Sequence, residues 1–411
     1  MKTDIVVVGG GPAGMMAAIA AGENGAKVIL LEPNERLGKK LNITGKGRCN
    51  VTNNCSVQDL MANIPCNGRF LYSAFSQFDS ADTMAFFEAY GLPLKTERGN
   101  RVFPQSDRSF DVSGTLEKCL RRLGVTTIRD KAAELLVTDG ALRGVAGEKG
   151  EYEAAQVIVA TGGVSYPLTG STGDGYRLAR SVGHTIVEPR GSLVPLVEDG
   201  SFCKQLQGLS LRNVTLRVYE NDKKIQEDFG EMLFTHFGVS GPLVLSASAH
   251  MRHFGKKQYR LEIDLKPALD EQKLDKRLVG DFQKHANADF VNVLAELLPR
   301  KLIEPFAALT GIPPHTKAHD ITREQRREVL RLLKALPVVI SGTRPVEEAI
   351  VTSGGVSVKE VNPSTMESKL LPGLRFAGEV LDVDAYTGGF NLQIAWSTGH
   401  VAGKSAAYDI E

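Results

Sequence analysis

A cysteine stands directly beside an arginine in the segment GKGRCNVTN, residues 45–53. A fixed positive charge next to a thiol favours the reactive thiolate. Cys49 is therefore a candidate catalytic residue, acting as a redox partner or as the donor of a proton to carbon. No second cysteine lies at C-x-x-C spacing from it, so we do not expect a redox-active disulfide. The alternative is that Cys49 is a small residue packed against a large, flat ligand.

A histidine in the segment LFTHFGVSGP, residues 233–242, is the second candidate. His236 could line the substrate side of a bound ligand as a catalytic residue, since the imidazole changes charge near neutral pH. A hydrogen-bonded structural histidine near a helix start is the alternative. Five further histidines are scattered between residues 250 and 319 without a cysteine or carboxylate in register, so the sequence predicts no metal site.

The N-terminal residues predict a strand, a helix and a second strand that could position a ligand. The run DIVVV leads into GGGPAG, residues 9–14, and a helical pattern then leads to KVILLE. Gly9, Gly11 and Gly14 fit G-x-G-x-x-G, with Pro12 and Ala13 between them. Glu32 ends the second strand, where an acid can accept a hydrogen bond from a ribose hydroxyl. The pattern predicts dinucleotide binding; an ordinary glycine-rich turn is the alternative.

Four glycine-centred segments recur, at residues 9–14, 38–50, 160–163 and 378–391. Open α/β sheets bind ligands at the carboxyl ends of their strands, so these segments predict one long ligand along that edge. FAD suits this better than NAD, because it needs more contacts beyond the pyrophosphate. A helix after Gly388 and Gly389 would direct its partial positive charge at the pyrimidine edge of the flavin.

Length and composition predict an α/β protein of several domains. The 411 residues carry a net charge of +1, so no whole-chain field favours nucleic acid or a membrane. No apolar run is long enough for a membrane span, and five unpaired-looking cysteines favour a reducing compartment, so we expect a cytoplasmic protein. We predict an FAD-binding domain at 1–188 and 338–411, an inserted β domain at 189–266 and an inserted helical domain at 267–337.

The predicted insertion is mildly basic. Residues 189–337 contain 23 Lys and Arg against 19 Asp and Glu, concentrated in TREQRREVLRLLK and HMRHFGKK. A basic helix could contact RNA phosphates, although a solvated charged face is the commoner explanation. No feature indicates an oligomeric state.

Long motifs of this chain closely resemble those of the BaiN/RdsA-type, YhiN-like NAD(P)/FAD-dependent oxidoreductases, a family that includes aminoacetone oxidase-like proteins. They include GGGPAGMMAAIAA, RLGKKLNITGKGRCNVTN, NGRFLYSAFSQF, STGDGY, LFTHFGVSGP and AGEVLDVDAYTGGFNLQ. The resemblance covers essentially the whole chain. It implies a glutathione-reductase-like Rossmann FAD-binding domain with an inserted β-barrel-like and helical region. Lys46 departs from the family, whose members often have three glycines before the arginine.

The resemblance also implies a set of FAD contacts. Those expected near the pyrophosphate, ribose and ring are Gly9, Gly11, Pro12, Ala13, Gly14, Glu32, Lys40, Arg48, Cys49 and Asn50. Those expected near the adenosine half are Ala133, Ala160, Thr161 and Gly162, and those along the ribityl chain and ring are Gly378, Glu379, Gly389, Asn391 and Leu392.

The resemblance implies reduction of a C=C bond by reduced flavin, with dihydrouridine formation in 23S ribosomal RNA as the leading activity and a steroid-like enone as another substrate. One alternative is a flavin oxidase of a small amine such as aminoacetone, producing hydrogen peroxide. A second is a non-catalytic flavin redox sensor. No second G-x-G-x-x-G marks a nicotinamide site, so NAD(P)H is expected only as a transient electron donor. We expect a small-molecule or RNA partner and no membrane.

Overall fold

The computed structural model describes residues 1–410 and shows two compact units. The first unit comprises Met1–Ser192 and the C-terminal segment from Val346, and the second comprises Leu193–Pro345. Each unit has its own hydrophobic core. The strands and the helices of the second unit share one hydrophobic core. The sequence pattern divides this region into a β domain at 189–266 and a helical domain at 267–337.

The N-terminal part of the first unit contains eleven strands and six helices among its described residues. The strands are β1 (Ile5–Val8), β2 (Val28–Leu31), β3 (Thr52–Asn53), β4 (Leu94–Glu97), β5 (Arg101–Pro104), β6 (Thr126–Ile128), β7 (Ala132–Thr138), β8 (Ala141–Gly147), β9 (Glu151–Glu153), β10 (Gln156–Val159) and β11 (Ile186–Ser192). The helices are α1 (Pro12–Glu23), α2 (Val57–Ala62), α3 (Gly68–Gln77), α4 (Ser80–Ala89), α5 (Ser109–Arg122) and α6 (Asp174–Ser181).

The second unit follows in the chain, and the first unit is then completed. The second unit contains β12 (Leu196–Glu198), α7 (Phe202–Gln205), β13 (Ser210–Glu220), β14 (Lys223–Phe234), β15 (Gly238–Ser240), α8 (Pro242–Ser248), β16 (Tyr259–Asp264), α9 (Glu271–Lys284), α10 (Phe290–Leu294), α11 (Arg300–Thr310), α12 (Arg323–Lys334) and β17 (Leu336–Thr343). The last elements of the first unit are β18 (Val351–Val356), β19 (Leu374–Phe376) and α13 (Phe390–Tyr408).

A five-stranded parallel sheet forms the centre of the first unit, in the order β19-β10-β1-β2-β6. The strands β1 and β2 are apolar, β10 is apolar apart from Gln156, and all three are buried, as expected for a parallel sheet covered on both faces. Because all five strands run in the same direction, their carboxyl ends lie along one edge. Segments 9–14, 160–163 and 377–379 each follow one of these strands at that edge.

Helices α1 and α13 pack against each other at unusually short range. A Cβ atom on Gly399 would lie 2.3 Å from the carbonyl oxygen of Ala13, and one on Gly403 would lie 2.0 Å from that of Ala17. Glycine is therefore required at both positions for the helices to approach this closely. A Cβ atom on Gly378 would lie 2.7 Å from the Cβ atom of Ala13, so the segment that precedes α13 also lies beside the start of α1.

The second unit is built on a closed antiparallel barrel of six strands, in the order β12-β15-β14-β13-β16-β17. Helices α9 to α12 lie between β16 and β17 in the chain, although these two strands pair directly in the barrel. The predicted fold class, a Rossmann FAD-binding domain with an inserted barrel-like and helical region, is confirmed. No helix in the described residues 1–410 is long and apolar enough to cross a membrane.

Candidate cofactor and active site

The turn between β1 and α1 is shaped by three glycines with different roles. Gly9 has φ +105°, and a Cβ there would lie 2.6 Å from the carbonyl oxygen of Ala160. A Cβ on Gly14 would lie only 1.8 Å from the carbonyl oxygen of Gly9. Gly11, by contrast, has φ −79° and open space where its Cβ would be. Gly9 and Gly14 therefore allow the turn to pack closely, whereas Gly11 leaves room for a ligand.

The N-terminus of α1 is free to bind an anion. Pro12 is its first residue, and no side chain caps the helix. The uncapped N–H groups and the helix dipole together favour a negatively charged group such as a pyrophosphate. The open space at Gly11 lies at this same helix start, as a dinucleotide requires.

Glu32 follows β2 and is 8% exposed. Its Oε2 accepts a hydrogen bond from the backbone N–H of Gly10 at 2.7 Å. Its Oε1 accepts two from Asn34, from the backbone N–H at 2.9 Å and from Nδ2 at 2.7 Å. A carboxylate offers about four acceptor positions, so one remains on Oε2 for a ribose hydroxyl.

The Lys40–Glu379 pair joins two of the glycine-centred segments, 38–50 and 378–391, at the carboxyl edge of the sheet. Lys40 Nζ lies 2.8 Å from Glu379 Oε2 and donates to Ser165 Oγ at 2.6 Å. Glu379 Oε1 accepts from the Ser165 hydroxyl at 3.0 Å and from the backbone N–H of Thr352 at 2.8 Å. The side chains of Lys40 and Glu379 are 20% and 22% exposed, so a bound ligand can reach them.

The segment after β10 contributes one of the sheet-edge turns. Ala160 is buried against Gly9, and Gly162 has φ +74°. The hydroxyl oxygen of Thr161 is buried and has no partner among the described residues. Ala133 lies outside this turn, exposed on β7, and its carbonyl oxygen accepts a hydrogen bond from Arg177.

The start of α13 lies against β3. Gly389 has φ +99°, and a Cβ there would lie 2.4 Å from the backbone of Thr52, so glycine is required. No side chain caps this helix, so its positive end is open to a ligand. Asn391 instead ties the preceding loop to the helix, since it accepts from the N–H of Ala385 at 2.9 Å and donates to its carbonyl at 2.7 Å. Leu392 is half-buried beside it.

Cys49 is fully buried and has φ +59°. Burial raises the pKa of its thiol to about 12, so the thiol stays protonated at neutral pH. The guanidinium of Arg48 lies 4.1 Å from the centroid of the Phe103 ring and pairs with Glu97 and Asp107, each at 2.5 Å. Two carboxylates therefore neutralise the positive charge from which a reactive thiolate was expected.

The remaining predicted residues divide between the two units. Asn50 lies next to Cys49 in the first unit, and its side-chain oxygen is buried without a partner among the described residues. His236 is an exposed residue of the turn between β14 and β15 in the second unit, with its ring against Phe237. The catalytic roles of Cys49 and His236 stay predictions.

Three polar residues of the site were missed by the sequence analysis. Ser165 and Thr352 bind Glu379, and Asn34 binds Glu32. Ser165 lies two residues after the glycine-centred segment 160–163, but a lone serine there carries no signal, and Thr352 lies outside the four segments. Asn34 follows Glu32 by two residues, and an Asn that hydrogen-bonds locally after a strand is a signal that could have found it. No metal-binding group of three or more His, Cys, Asp or Glu occurs within residues 1–410.

These residues fit a flavin dinucleotide. The open space at Gly11, the uncapped start of α1 and the carboxylate of Glu32 suit a pyrophosphate and a ribose. Lys40 and Glu379 supply a donor and an acceptor for a hydroxylated chain, and the open start of α13 suits an edge that becomes negative on reduction.

Comparison with known proteins places the whole chain in one family. Residues 3–405 match the model described as the HI0933-like protein Rossmann domain. The chain is 34% identical to the 3-dehydro-bile acid delta(4,6)-reductase of Clostridium scindens, with 98% of each chain aligned. It is 30% identical to the ribosomal RNA dihydrouridine synthase of Escherichia coli, with 97% of this chain and 96% of that protein aligned.

A solved structure supports the fold alone. The 3-ketosteroid-delta4-(5alpha)-dehydrogenase of Rhodococcus jostii RHA1 aligns with a TM-score of 0.55 over 99% of this chain and 97% of that one, at 16% identity. The family and fold predicted from the sequence motifs are thereby confirmed. The chain belongs to the HI0933-like Rossmann family, and it is an oxidoreductase with a Rossmann-type FAD-binding fold.

Proposed function

We propose that this protein is an FAD-dependent reductase that saturates a carbon–carbon double bond conjugated to a carbonyl group. The names of the two full-length relatives describe different molecules, an unsaturated 3-dehydro bile acid and uridine in ribosomal RNA. Both substrates present such a double bond, at which hydride adds to one carbon and a proton to the other. The observation that carries the proposal is the Lys40–Glu379 pair, which brings the segments 38–50 and 378–391 together at the sheet edge.

Each part of the site has a separate task toward the cofactor. The start of α1 binds the pyrophosphate, and Glu32 binds a ribose hydroxyl through its remaining acceptor position. Lys40 and Glu379 bind the ribityl hydroxyls. The open start of α13 stabilises negative charge at the pyrimidine edge. When bound, reduced FAD supplies the hydride.

The proton must come from this chain or from water. Cys49 holds a proton on Sγ at neutral pH, and Asn50 follows it in the same loop. In this proposal Cys49 acts as a proton donor and not as a nucleophile.

Uridine in ribosomal RNA is the leading substrate. The relative from Escherichia coli spans nearly the whole chain, and the relative from Haemophilus influenzae with the same name is 28% identical over 97% of it. The excess of Lys and Arg in residues 189–337 is of the sign that phosphate binding needs.

The test is to map dihydrouridine in 23S ribosomal RNA from cells that lack this protein. We expect one or more dihydrouridines to disappear and to return with the wild-type gene but not with Glu32→Ala. In vitro, binding of the RNA should weaken steeply as salt rises, because phosphate contacts release counterions. Unchanged dihydrouridine, together with RNA binding that is constant across the salt series, would exclude this substrate.

A conjugated steroid ketone is the second candidate, because the bile acid reductase is 34% identical over the whole chain. The purified, reduced protein should then convert a Δ4-3-ketosteroid to its saturated product without RNA. NAD(P)H is the proposed electron donor for either substrate, binding transiently. Mixing the oxidised protein with NADH and NADPH without oxygen tests this, since a donor must bleach the flavin absorbance.

A further inference from the structure

A short segment at the carboxyl edge of the sheet lies beside the carboxylate of Glu32. It comprises Tyr166–Gly170, and we call it the strap. Tyr166 has φ +52° and Gly170 has φ +105°, so a left-handed residue stands at each end of the single turn Pro167–Thr169. The N–H of Thr169 donates to the carbonyl of Tyr166 at 2.8 Å, which closes the turn. The strap therefore has a defined shape of its own.

Asn34 connects the strap to Glu32. Its backbone N–H and its Nδ2 both donate to Glu32 Oε1, at 2.9 and 2.7 Å. The same Nδ2 donates to the carbonyl oxygen of Thr169 at 3.1 Å. One amide group thus holds the carboxylate and the strap together, although Asn34 and Thr169 are 135 residues apart.

The strap is held by polar bonds more than by buried apolar surface. Lys39 Nζ donates to the carbonyl of Leu168 at 2.6 Å, and the N–H of Tyr166 donates to the carbonyl of Glu347 at 3.3 Å. The Leu168 side chain itself is 88% exposed. A Cβ on Gly170 would lie 2.6 Å from Asn34 Nδ2, so the strap passes as close to Asn34 as glycine allows.

The neighbours of the strap belong to the adenosine end of the site. A Cβ on Gly170 would lie 3.9 Å from Glu32 Oε1, and Ser171, which follows the strap, lies close to Gly162 in the turn after β10. Glu32 is the acid expected to bind the ribose hydroxyl. The contacts of Asn34 therefore act on the half of the cofactor that carries the adenosine.

We propose that Asn34 is a positioning residue that fixes the carboxylate of Glu32 for the ribose and locks the strap over the adenosine half of FAD. This inference rests on the proposed function. Because Asn34 occupies Oε1 with two hydrogen bonds, the acceptor position that remains for the ribose is on Oε2, which accepts from the N–H of Gly10 at 2.7 Å. FAD leaves the protein only after the tethers from Asn34 and Lys39 to the strap have opened. Asn34 thereby controls how long FAD stays bound.

A comparison of FAD with FMN tests this role, because FMN lacks the adenosine half. FAD would be removed from the wild-type protein and from Asn34→Ala, Asn34→Asp and Lys39→Ala, and the affinity of each apoprotein for FAD and for FMN measured by flavin fluorescence. The release rate of FAD from each holoprotein would be measured on dilution. Asn24→Ala is the matched control, because Asn24 caps the C-terminal end of α1 and its side chain donates to the Ala20 carbonyl of the same helix at 2.8 Å.

We expect Asn34→Ala to release FAD about tenfold faster and to bind it about tenfold more weakly, as the loss of hydrogen bonds to a charged group predicts. Asn34→Asp should be weaker still, because a second carboxylate would face Glu32. Lys39→Ala should show a smaller change in the same direction. The affinity for FMN should stay within about twofold of wild type in all three variants, and Asn24→Ala should match wild type throughout.

Two results would overturn the inference. Equal losses of FAD and FMN affinity would show that Asn34 only supports the fold. An unchanged release rate in Asn34→Ala and in Asn34→Asp would show that the strap does not retain the cofactor. A wild-type protein that binds neither flavin would instead contradict the proposed function itself.

Discussion

Burial, more than the neighbouring residue, determines the state of the Cys49 thiol. The sequence places Arg48 beside it and so favours a thiolate, but local sequence does not show where the two side chains point. In the structure, Glu97 and Asp107 bind Arg48, and the thiol has no exposed surface. The two carboxylates lie 49 and 59 residues further along the chain, which is why the pairing was not predictable from the motif.

The raised pKa of the buried Cys49 thiol should make the stability of the folded protein depend on pH. Because the pKa of Cys49 is raised from 9.0 to about 12 in the folded state, its stabilising contribution is complete below pH 9 and is lost as the pH rises towards 12. The free energy of unfolding should fall by about 1.4 kcal/mol per pH unit more steeply in wild type than in Cys49→Ala across that range.

Urea unfolding of the apoprotein between about pH 8 and pH 10.5 measures this difference. Val51→Ala, which truncates a buried neighbour that does not titrate, controls for the cavity. Identical slopes for wild type and Cys49→Ala would show that the thiol ionises freely in the folded protein.

At the level of elements, the start of α1 has separate positions for packing and for ligand binding. The sequence predicted this β-α-β unit because all its signals lie within 30 residues. The two helices that follow β3 and α2 are harder to delimit from sequence: α3 ends at Gln77, and α4 begins only at Ser80, capped by Asp79. The capping Asp was present in the sequence, but the helical pattern runs through it.

Two glycine substitutions in α1 should separate folding from cofactor binding. Gly11→Ala adds a Cβ into open space at an allowed φ, so it should cost less than about 1 kcal/mol of apoprotein stability. It should nevertheless weaken FAD binding at least about tenfold, because the Cβ occupies the approach of the pyrophosphate. Gly14→Ala, whose Cβ would lie 1.8 Å from the Gly9 carbonyl, should cost more than about 2 kcal/mol.

Urea unfolding of the apoproteins and FAD titration measure the two effects independently. A Gly11→Ala protein that binds FAD as tightly as wild type would contradict the proposal that the pyrophosphate binds at the start of α1. A Gly14→Ala protein as stable as wild type would contradict the packing assigned to that glycine.

At the level of the whole molecule, the two units differ in how far they could be predicted. The candidate cofactor site of the first unit depends on glycine motifs that are readable locally, and their positions along one sheet edge follow from the parallel topology. The Lys40–Glu379 pair joins residues 339 apart, so its partners could not be paired from sequence. In the second unit, β12 pairs with β17 across the entire helical segment, and alternation alone did not predict a closed barrel.

The most direct test of the central claim is to follow the reoxidation of the reduced flavin. The protein would be photoreduced without oxygen and mixed in a stopped-flow instrument with unmodified 23S ribosomal RNA, with a Δ4-3-ketosteroid, or with aerated buffer. The account predicts that one of the conjugated substrates reoxidises the flavin faster than oxygen does, with one saturated product formed per flavin. Reoxidation by oxygen alone, with hydrogen peroxide as the product and no saturated substrate, would contradict it.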